Sequence, residues 1–330
     1  MTHVADIAEG YLLRNDTSEL AGVNREVVVF EHALADLAAL DDAHLARIIE
    51  RAAKAGPMHY NLSVVEPDDE GGYGHWVQGL LARPGEKVNG WEVLELIRAG
   101  RLWLQVEHLH ELAPDLYWLM RAAYDEFKRR VAHFTYFNLY TNLLISGPTA
   151  KVTPHIDVAE VLLFHIRGHK KFTLWDPAKF PVPDEWRESI ILREQLEDVP
   201  LKPEWLSQGT EAVLGPGQGV SFPLMWPHAV ENLGELNVSL QSEYHHPASI
   251  RRYAALYANG LLRRRLGMNP HSTGPGAWGE ALRAVAGLAA KKLKVHSPKP
   301  RKVALSFVVD ARAEGGVRWL PEKERMLVTK

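Results

Sequence analysis

His155 and Asp157 stand two residues apart in Thr-Pro-His-Ile-Asp, residues 153 to 157. Side chains at i and i+2 of a strand leave the same face, about 7 Å apart at the backbone. An imidazole and a carboxylate so placed could grip one metal ion. The best candidate for a third ligand is His228, in Phe-Pro-Leu-Met-Trp-Pro-His-Ala-Val-Glu-Asn, residues 222 to 232. Two imidazoles and one carboxylate on one side of a metal leave the opposite positions open, the donor set of non-haem Fe(II) oxygenases. Taken alone, a His-x-Asp triplet is equally what a strand-end histidine and a turn aspartate would give.

The company downstream adds weight. Residues 161 to 176 read as two apolar strands joined at Arg167-Gly168-His169, and Lys170 opens the second among Phe172, Leu174 and Trp175. A lysine on an inward face is costly to bury unless an anion meets it. The expected anion is a carboxylate of a co-substrate.

Four segments then occur in a telling order: Thr-Pro-His-Ile-Asp, Ile-Arg-Gly-His-Lys-Lys-Phe, Gly-Pro-Gly-Gln-Gly (215 to 219) and Phe-Pro-x-x-Trp-Pro-His. This series, across roughly residues 95 to 245, resembles the cupin-like JmjC branch of the 2-oxoglutarate-dependent oxygenases, relatives of the asparaginyl hydroxylase of hypoxia-inducible factor. The resemblance implies a double-stranded β-helix, a jelly-roll of cupin/JmjC type, mainly β with flanking helices. It makes His155, Asp157 and His228 the iron ligands. It makes Lys170 the partner of the distal carboxylate of 2-oxoglutarate and Thr153 a hydroxyl bonding the same group. Trp103 stands where the family has a tyrosine hydroxyl, Val161 where the relative has a polar amide, and Gln241 where it has asparagine, so the co-substrate pocket is expected to be drier. Gln105 falls where an amide holds the target residue. The implied cofactors are Fe(II), 2-oxoglutarate and O2, and the implied reaction is hydroxylation of an amino-acid, peptide or protein side chain with release of succinate and CO2.

The elements that must position these residues follow from periodicity. Residues 27–31, 58–65 and 102–106 read as strands, and 41–55, 91–99 and 114–131 as helices, the first opened by Asp41-Asp42 and the second closed by Gly100. The stripe of Leu116, Leu119, Met120, Tyr124 and Phe127 is expected to be core. Residues 134–145 read as a strand entering the barrel, with Tyr136, Asn138, Tyr140 and Asn142 on one face, lining either a substrate channel or a wet outer surface. Residues 66–74 read as a loop. Residues 181–213, rich in proline, acid and tryptophan, read as a lid or recognition loop. Strands are expected at 214–223 and 237–244, helices at 251–266 and 278–293, and a hairpin at 303–309 with 317–320.

A chain of 330 residues, 46% hydrophobic, can bury a large core. It lacks an apolar run of 18 residues, its first ten residues have no signal-peptide pattern, and no phosphate-binding glycine motif is present. The expectation is a cytoplasmic protein. Zero cysteines exclude disulfides and thiolate metal sites. The net charge of −3 conceals an asymmetry: residues 1–250 carry 21 basic and 36 acidic residues, and 251–302 carry 12 and one. A solvated face pairing with the acidic body is one reading of that basic stretch, and nucleic acid or a membrane surface is the alternative. The expected division is an oxygenase domain over 1–250 with N-terminal α/β elements and a basic helical appendage with terminal hairpin over 251–330; the apolar faces of its helices at 251–266 and 278–293 have no obvious partner, and the resemblance implies that they form a homodimer interface. Two other functions stay open on the residues: a Zn or Mn cupin isomerase or hydrolase, and a non-catalytic cupin-like binding module.

Overall fold

The computed structural model describes residues 12–36, 40–66, 75–100, 102–270, 278–298 and 302–329. The loop expected at 66–74 lies almost wholly outside these residues. In chain order the elements are β1 (Val28–Glu31), α1 (Asp42–Ala55), β2 (Tyr60–Glu66), β3 (His75–Leu80), α2 (Gly90–Ala99), β4 (Trp103–Val106), α3 (Leu109–Leu112) and α4 (Pro114–Arg130). The central strands follow: β5 (Phe137–Ser146), β6 (Lys151–His155), β7 (Glu160–Arg167), β8 (Lys170–Leu174), β9 (Thr210–Leu214), β10 (Gln218–Ser221), β11 (His228–Asn232) and β12 (Asn237–His245), with α5 (Asp184–Ile191) between β8 and β9. The chain ends with α6 (Pro247–Leu266), α7 (Trp278–Lys292), β13 (Lys302–Val309), β14 (Val317–Trp319) and β15 (Met326–Thr329).

Strands β5 to β12 alternate between two sheets, except that the consecutive β8 and β9 both join the smaller one. One holds the order β10-β7-β12-β5, and the other, of four strands, the order β6-β11-β8-β9. Every neighbouring pair in these runs is antiparallel. Side chains of both sheets close a shared core of Leu144, Val161, Leu163, Phe172, Leu214 and Phe222. This is the double-stranded β-helix expected from the sequence. Strand β7 is buried along seven of its eight residues because the small sheet covers one face and the N-terminal helices and strands cover the other. Strand β8 is different: Lys170, Phe172 and Leu174 point inward, whereas Lys171 and Thr173 alternate outward. The alternation of a two-residue period thus drives the lysine into the barrel.

The N-terminal elements extend the large sheet. β1 joins beyond β10, and β4, β2 and β3 continue beyond β5. Helix α1 is capped by Asp41, whose carboxylate accepts the His44 amide at 2.7 Å, worth about 1 kcal/mol. Helix α4 starts with Pro114 and buries Leu116, Leu119, Met120, Tyr124 and Phe127 in the main core, so that stripe is core as its spacing indicates.

Three parts of the chain differ from expectation. The expected appendage continues the sheet: β13 pairs in parallel with β3, and β14 and β15 flank β13. Helix α6 packs on α5 and on α7, and Gly287 sits so close to Ala254 that a Cβ would lie 1.9 Å from its carbonyl oxygen. The expected lid contains α5, a 3-10 turn at Pro203–Gln208 and β9, so much of it is regular structure. Finally, strand β5 begins at Phe137, and Asn138 has φ +52°. A left-handed residue breaks the two-residue alternation, so the four polar residues of 136–142 do not form one face.

Three arginines of the basic stretch find counter-charges within the chain. Arg263 pairs with Glu188 at 2.8 Å and Glu185 at 3.0 Å, Arg264 with Glu194 at 2.6 Å, and Arg251 with Glu280 at 3.2 Å. Helix α6 is held to α5 by charge as well as by the apolar contacts of Leu192, Leu256 and Tyr257.

Candidate metal centre

Strands β6 and β11 pair so that His155 and His228 are direct partners, helped by a bulge in β11 between His228 and Val230. Their ring centroids lie 4.1 Å apart. Asp157 completes the group: Oδ2 is 3.4 Å from Nε2 of His228, and Oδ1 is 3.9 Å from Nε2 of His155. The three ligand atoms lie within 4.8 Å of one another. The strand-face rule is not what brings Asp157 in, because β6 ends at His155. Asp157 is carried by the turn beyond it, where the Ile156 amide donates to the Glu197 carbonyl at 3.0 Å and the Ile156 side chain is fully buried.

Both imidazoles are oriented by backbone. Nδ1 of His155 is 2.8 Å from the Thr153 carbonyl, and Nδ1 of His228 is 3.0 Å from the Trp226 carbonyl. A carbonyl only accepts, so each Nδ1 carries the proton and each Nε2 presents a lone pair. His228 is held neutral, its pKa lowered to about 4 by burial and then by the neighbouring His155. Two neutral imidazoles and a carboxylate, with lone pairs converging, fit a divalent metal such as Fe(II).

Lys170 lies in the same small cavity of about 50 Å³, with Trp103, Leu144, Val161, Leu163, Phe172, Phe222, Val230 and Gln241 as its other walls. It is 4% exposed. Its only hydrogen bond among the described residues is to Ser239 Oγ at 3.3 Å, and burial lowers its pKa to about 8. Ser239 Oγ is also 2.9 Å from Nδ1 of His165, whose Nε2 lies 2.9 Å from the Gly168 carbonyl. Burial, reinforced by Lys170, drives the His165 pKa down to about 3, so that histidine is a neutral structural prop. A second group also awaits a partner: the indole Nε1 of Trp103 is buried without a hydrogen bond. An ammonium without a counter-ion and an N–H donor without a hydrogen bond, on two residues that line one cavity with three metal donors, fit a carboxylate-bearing co-substrate.

The cavity opens into an outer cleft of about 370 Å³ lined by Asn61, Gln105, Thr153, Leu196, Glu197, Asp198 and Glu243. Thr153 therefore stands outside the Lys170 cavity, and its hydroxyl donates to Asp198 at 2.9 Å. Gln105 lines the cleft. Tyr140, 60% exposed, lines an adjoining cleft of about 390 Å³ with Gln105, Asn142 and Glu243. Tyr136 does not reach either: its hydroxyl donates to Asp125 at 2.6 Å and its ring packs on Tyr124. Asn138 is exposed at the left-handed start of β5 and lines neither cleft.

Glu197 and Glu243 were not visible as site residues in the sequence. Burial pushes the Glu243 carboxyl up to about 7, with Asp157 and Glu107 adding repulsion; Glu197 keeps an exposed side chain on the cleft wall and is raised too, by desolvation against the surrounding protein and then by Asp157. Each is an ordinary acid in an ordinary strand or loop. Only the fold sets them within reach of Asp157.

Comparison with known proteins agrees with this topology. Residues 96–250 match the model of the cupin-like domain family. Among solved structures, YcfD of Escherichia coli, described as a ribosomal oxygenase in complex with cobalt and 2-oxoglutarate, is 16% identical with a TM-score of 0.45, covering 87% of this chain and 68% of that one. A second structure of E. coli YcfD is 15% identical over 90% of this chain and 68% of that one, with a TM-score of 0.44. The DMSP lyase DddQ of Ruegeria pomeroyi is 16% identical over 33% of this chain and 39% of that one, with a TM-score of 0.22. The family match spans β5 to β12, the strands of the two interleaved sheets.

Proposed function

We propose that this chain is an Fe(II)- and 2-oxoglutarate-dependent oxygenase that hydroxylates an amino-acid, peptide or protein side chain and releases succinate and CO2. The observation that carries the reading is one cavity that joins His155, Asp157 and His228 to a buried ammonium with no counter-ion among the described residues. A zinc or manganese isomerase would use the three donors and leave Lys170 without an anion.

The ion, when bound with 2-oxoglutarate, supplies the activation of O2. The chain's own residues do the rest. His155, Asp157 and His228 would hold the metal from one side. Lys170 would meet the distal carboxylate of 2-oxoglutarate, with the Trp103 indole N–H as a neutral donor where the resemblance had led us to expect a missing hydroxyl. Leu144, Val161, Leu163, Phe172, Phe222 and Val230 wall the cavity with apolar surface, which excludes bulk water from the reacting centre. Gln241 lines both this cavity and the outer cleft, Gln105 lines the outer cleft, and the two would orient the target side chain. Anaerobic loading should show one Fe(II) bound at these donors, and succinate should then form in the presence of 2-oxoglutarate and O2, faster with candidate peptides. Failure to form succinate across a peptide panel, with iron bound, would overturn the reading.

The proposal includes a homodimer and a cytoplasmic setting. Among the described residues no helix is long and apolar enough to cross a membrane. Helix α7 presents Leu282, Val285 and Leu288 to solvent, followed by Leu293, the first 72% and the last 75% exposed. Apolar side chains at this spacing form a stripe that a second copy would cover. Leu282→Glu with Val285→Glu should halve the mass seen by light scattering and leave the circular dichroism spectrum unchanged, since neither side chain packs inside the fold. A monomeric wild type would remove the dimer.

A further inference from the structure

We propose that His108, His110 and Glu111, with His59 beside them, form a second metal site for a borderline divalent ion of the zinc class, distinct from the triad. Ligand atoms of His108, His110 and Glu111 lie within 4.8 Å of one another. Nε2 of His110 is 3.3 Å from Oε1 of Glu111, and Nε2 of His59 is 3.5 Å from Oε2 of the same carboxylate. Each oxygen of Glu111 thus faces its own imidazole. The His108 ring lies edge-on between them, 5.4 Å from His59 and 5.9 Å from His110 by centroid.

Hydrogen bonding does not account for this gathering. Among the described residues the His108 side chain makes no hydrogen bond or ion pair, and Nδ1 of His59 is buried without a partner. Protonating the three imidazoles would set like charges together with one carboxylate to offset them. A dication changes the balance, because neutral imidazoles and a carboxylate are donor types zinc takes.

The frame that presents these groups is fixed. The Glu107 amide donates to the His59 carbonyl at 2.8 Å, locking the start of β2 to the end of β4. Leu109, Leu112 and Ala113 are buried and anchor α3. His108 itself has φ +56°, a left-handed conformation that is unfavourable for a non-glycine residue. That turn is what places His108 and His110 together on the wall of the cleft of about 390 Å³. The same cleft shares Gln105 and Glu243 with the one that leads to His155 and Asp157, so the second site lines a cleft adjoining that of the triad.

Titration of metal-stripped, full-length protein with Zn(II), by calorimetry and by elemental analysis after desalting, tests this. The wild type should take two equivalents, Asp157→Ala one, and the double variant His108→Asn/His110→Ala one. Asparagine tolerates the left-handed conformation, which protects the fold. Glu111→Gln, at an exposed position, should also lose the second equivalent. His59→Ala should weaken it about 10- to 100-fold, as removal of a supporting partner does. One equivalent in the wild type that survives Asp157→Ala and disappears with the histidine variants would support the second site whatever becomes of the triad. A second equivalent that persists in both His108→Asn/His110→Ala and Glu111→Gln, or a single one lost with Asp157→Ala, overturns it.

Discussion

Replacing Asp157 by alanine should reduce succinate formation to about one thousandth of wild type or less, because ligands that act as a unit lose their function together. The assay belongs in chloride-free buffer, where no halide can take the vacated position. His155→Ala should give the same loss, and the double variant no more than either alone. The fold should not suffer. Asp157 lies beyond the end of β6 at the mouth of the barrel, and its charge is a source of the repulsion that raises the carboxyls of Glu197 and Glu243. Removing it from the metal-free protein relieves that repulsion, so the Tm of metal-free Asp157→Ala should equal or exceed that of metal-free wild type. Added Fe(II) should then raise the Tm of wild type and leave the variant unmoved, since a ligand stabilises only the state that binds it. Full turnover in Asp157→Ala, with iron retained, would sink the two-imidazole, one-carboxylate assignment.

The barrel was legible where chemistry and period coincide. Lys170 stood out because a cation in an apolar run demands an anion, and β8 does alternate inward at 170, 172 and 174. The helices declared themselves through caps and stripes, as Asp41 and the Leu116 to Phe127 face illustrate. What escaped was whatever depends on contacts distant in sequence. Glu243 in β12 and Glu197 in the long β8 to β9 connection meet Asp157 only once the sheets have closed. The run His108-Leu-His-Glu was readable as a string, but His59 lies far upstream and joins it only through the pairing of β2 with β4. Tyr136 failed as a site residue because one left-handed residue, Asn138, undoes an alternation that the residue types alone suggest. The C-terminal strands looked separate because nothing in residues 302–309 says that their partner is β3, more than two hundred residues earlier.

Lys170→Met should separate the binding role of this lysine from any structural one. Methionine fills similar space, so the cavity keeps its walls while the cation is gone. A hydrogen bond to a charged group contributes roughly 1.5–3 kcal/mol, which corresponds to a loss of about 10- to 100-fold in 2-oxoglutarate affinity. Fe(II) binding should be unchanged, since Lys170 faces the metal group across the cavity and donates to Ser239. Stability should move the other way. Burial lowers the lysine from its ordinary 10.5 to about 8. Between pH 8 and 10.5 the unfolded chain therefore binds more protons than the folded one, and wild-type stability rises with pH through that window. Below pH 8 the folded protein carries the buried charge in full. Without co-substrate, Lys170→Met should accordingly be more stable than wild type at pH 7, with the advantage shrinking toward pH 10. Saturating 2-oxoglutarate should reverse the order at pH 7, because the carboxylate supplies the counter-ion that the fold leaves out. Unchanged 2-oxoglutarate affinity in Lys170→Met would remove the lysine from the co-substrate site, and a stability difference insensitive to pH would mean that its charge is not what the cavity strains against.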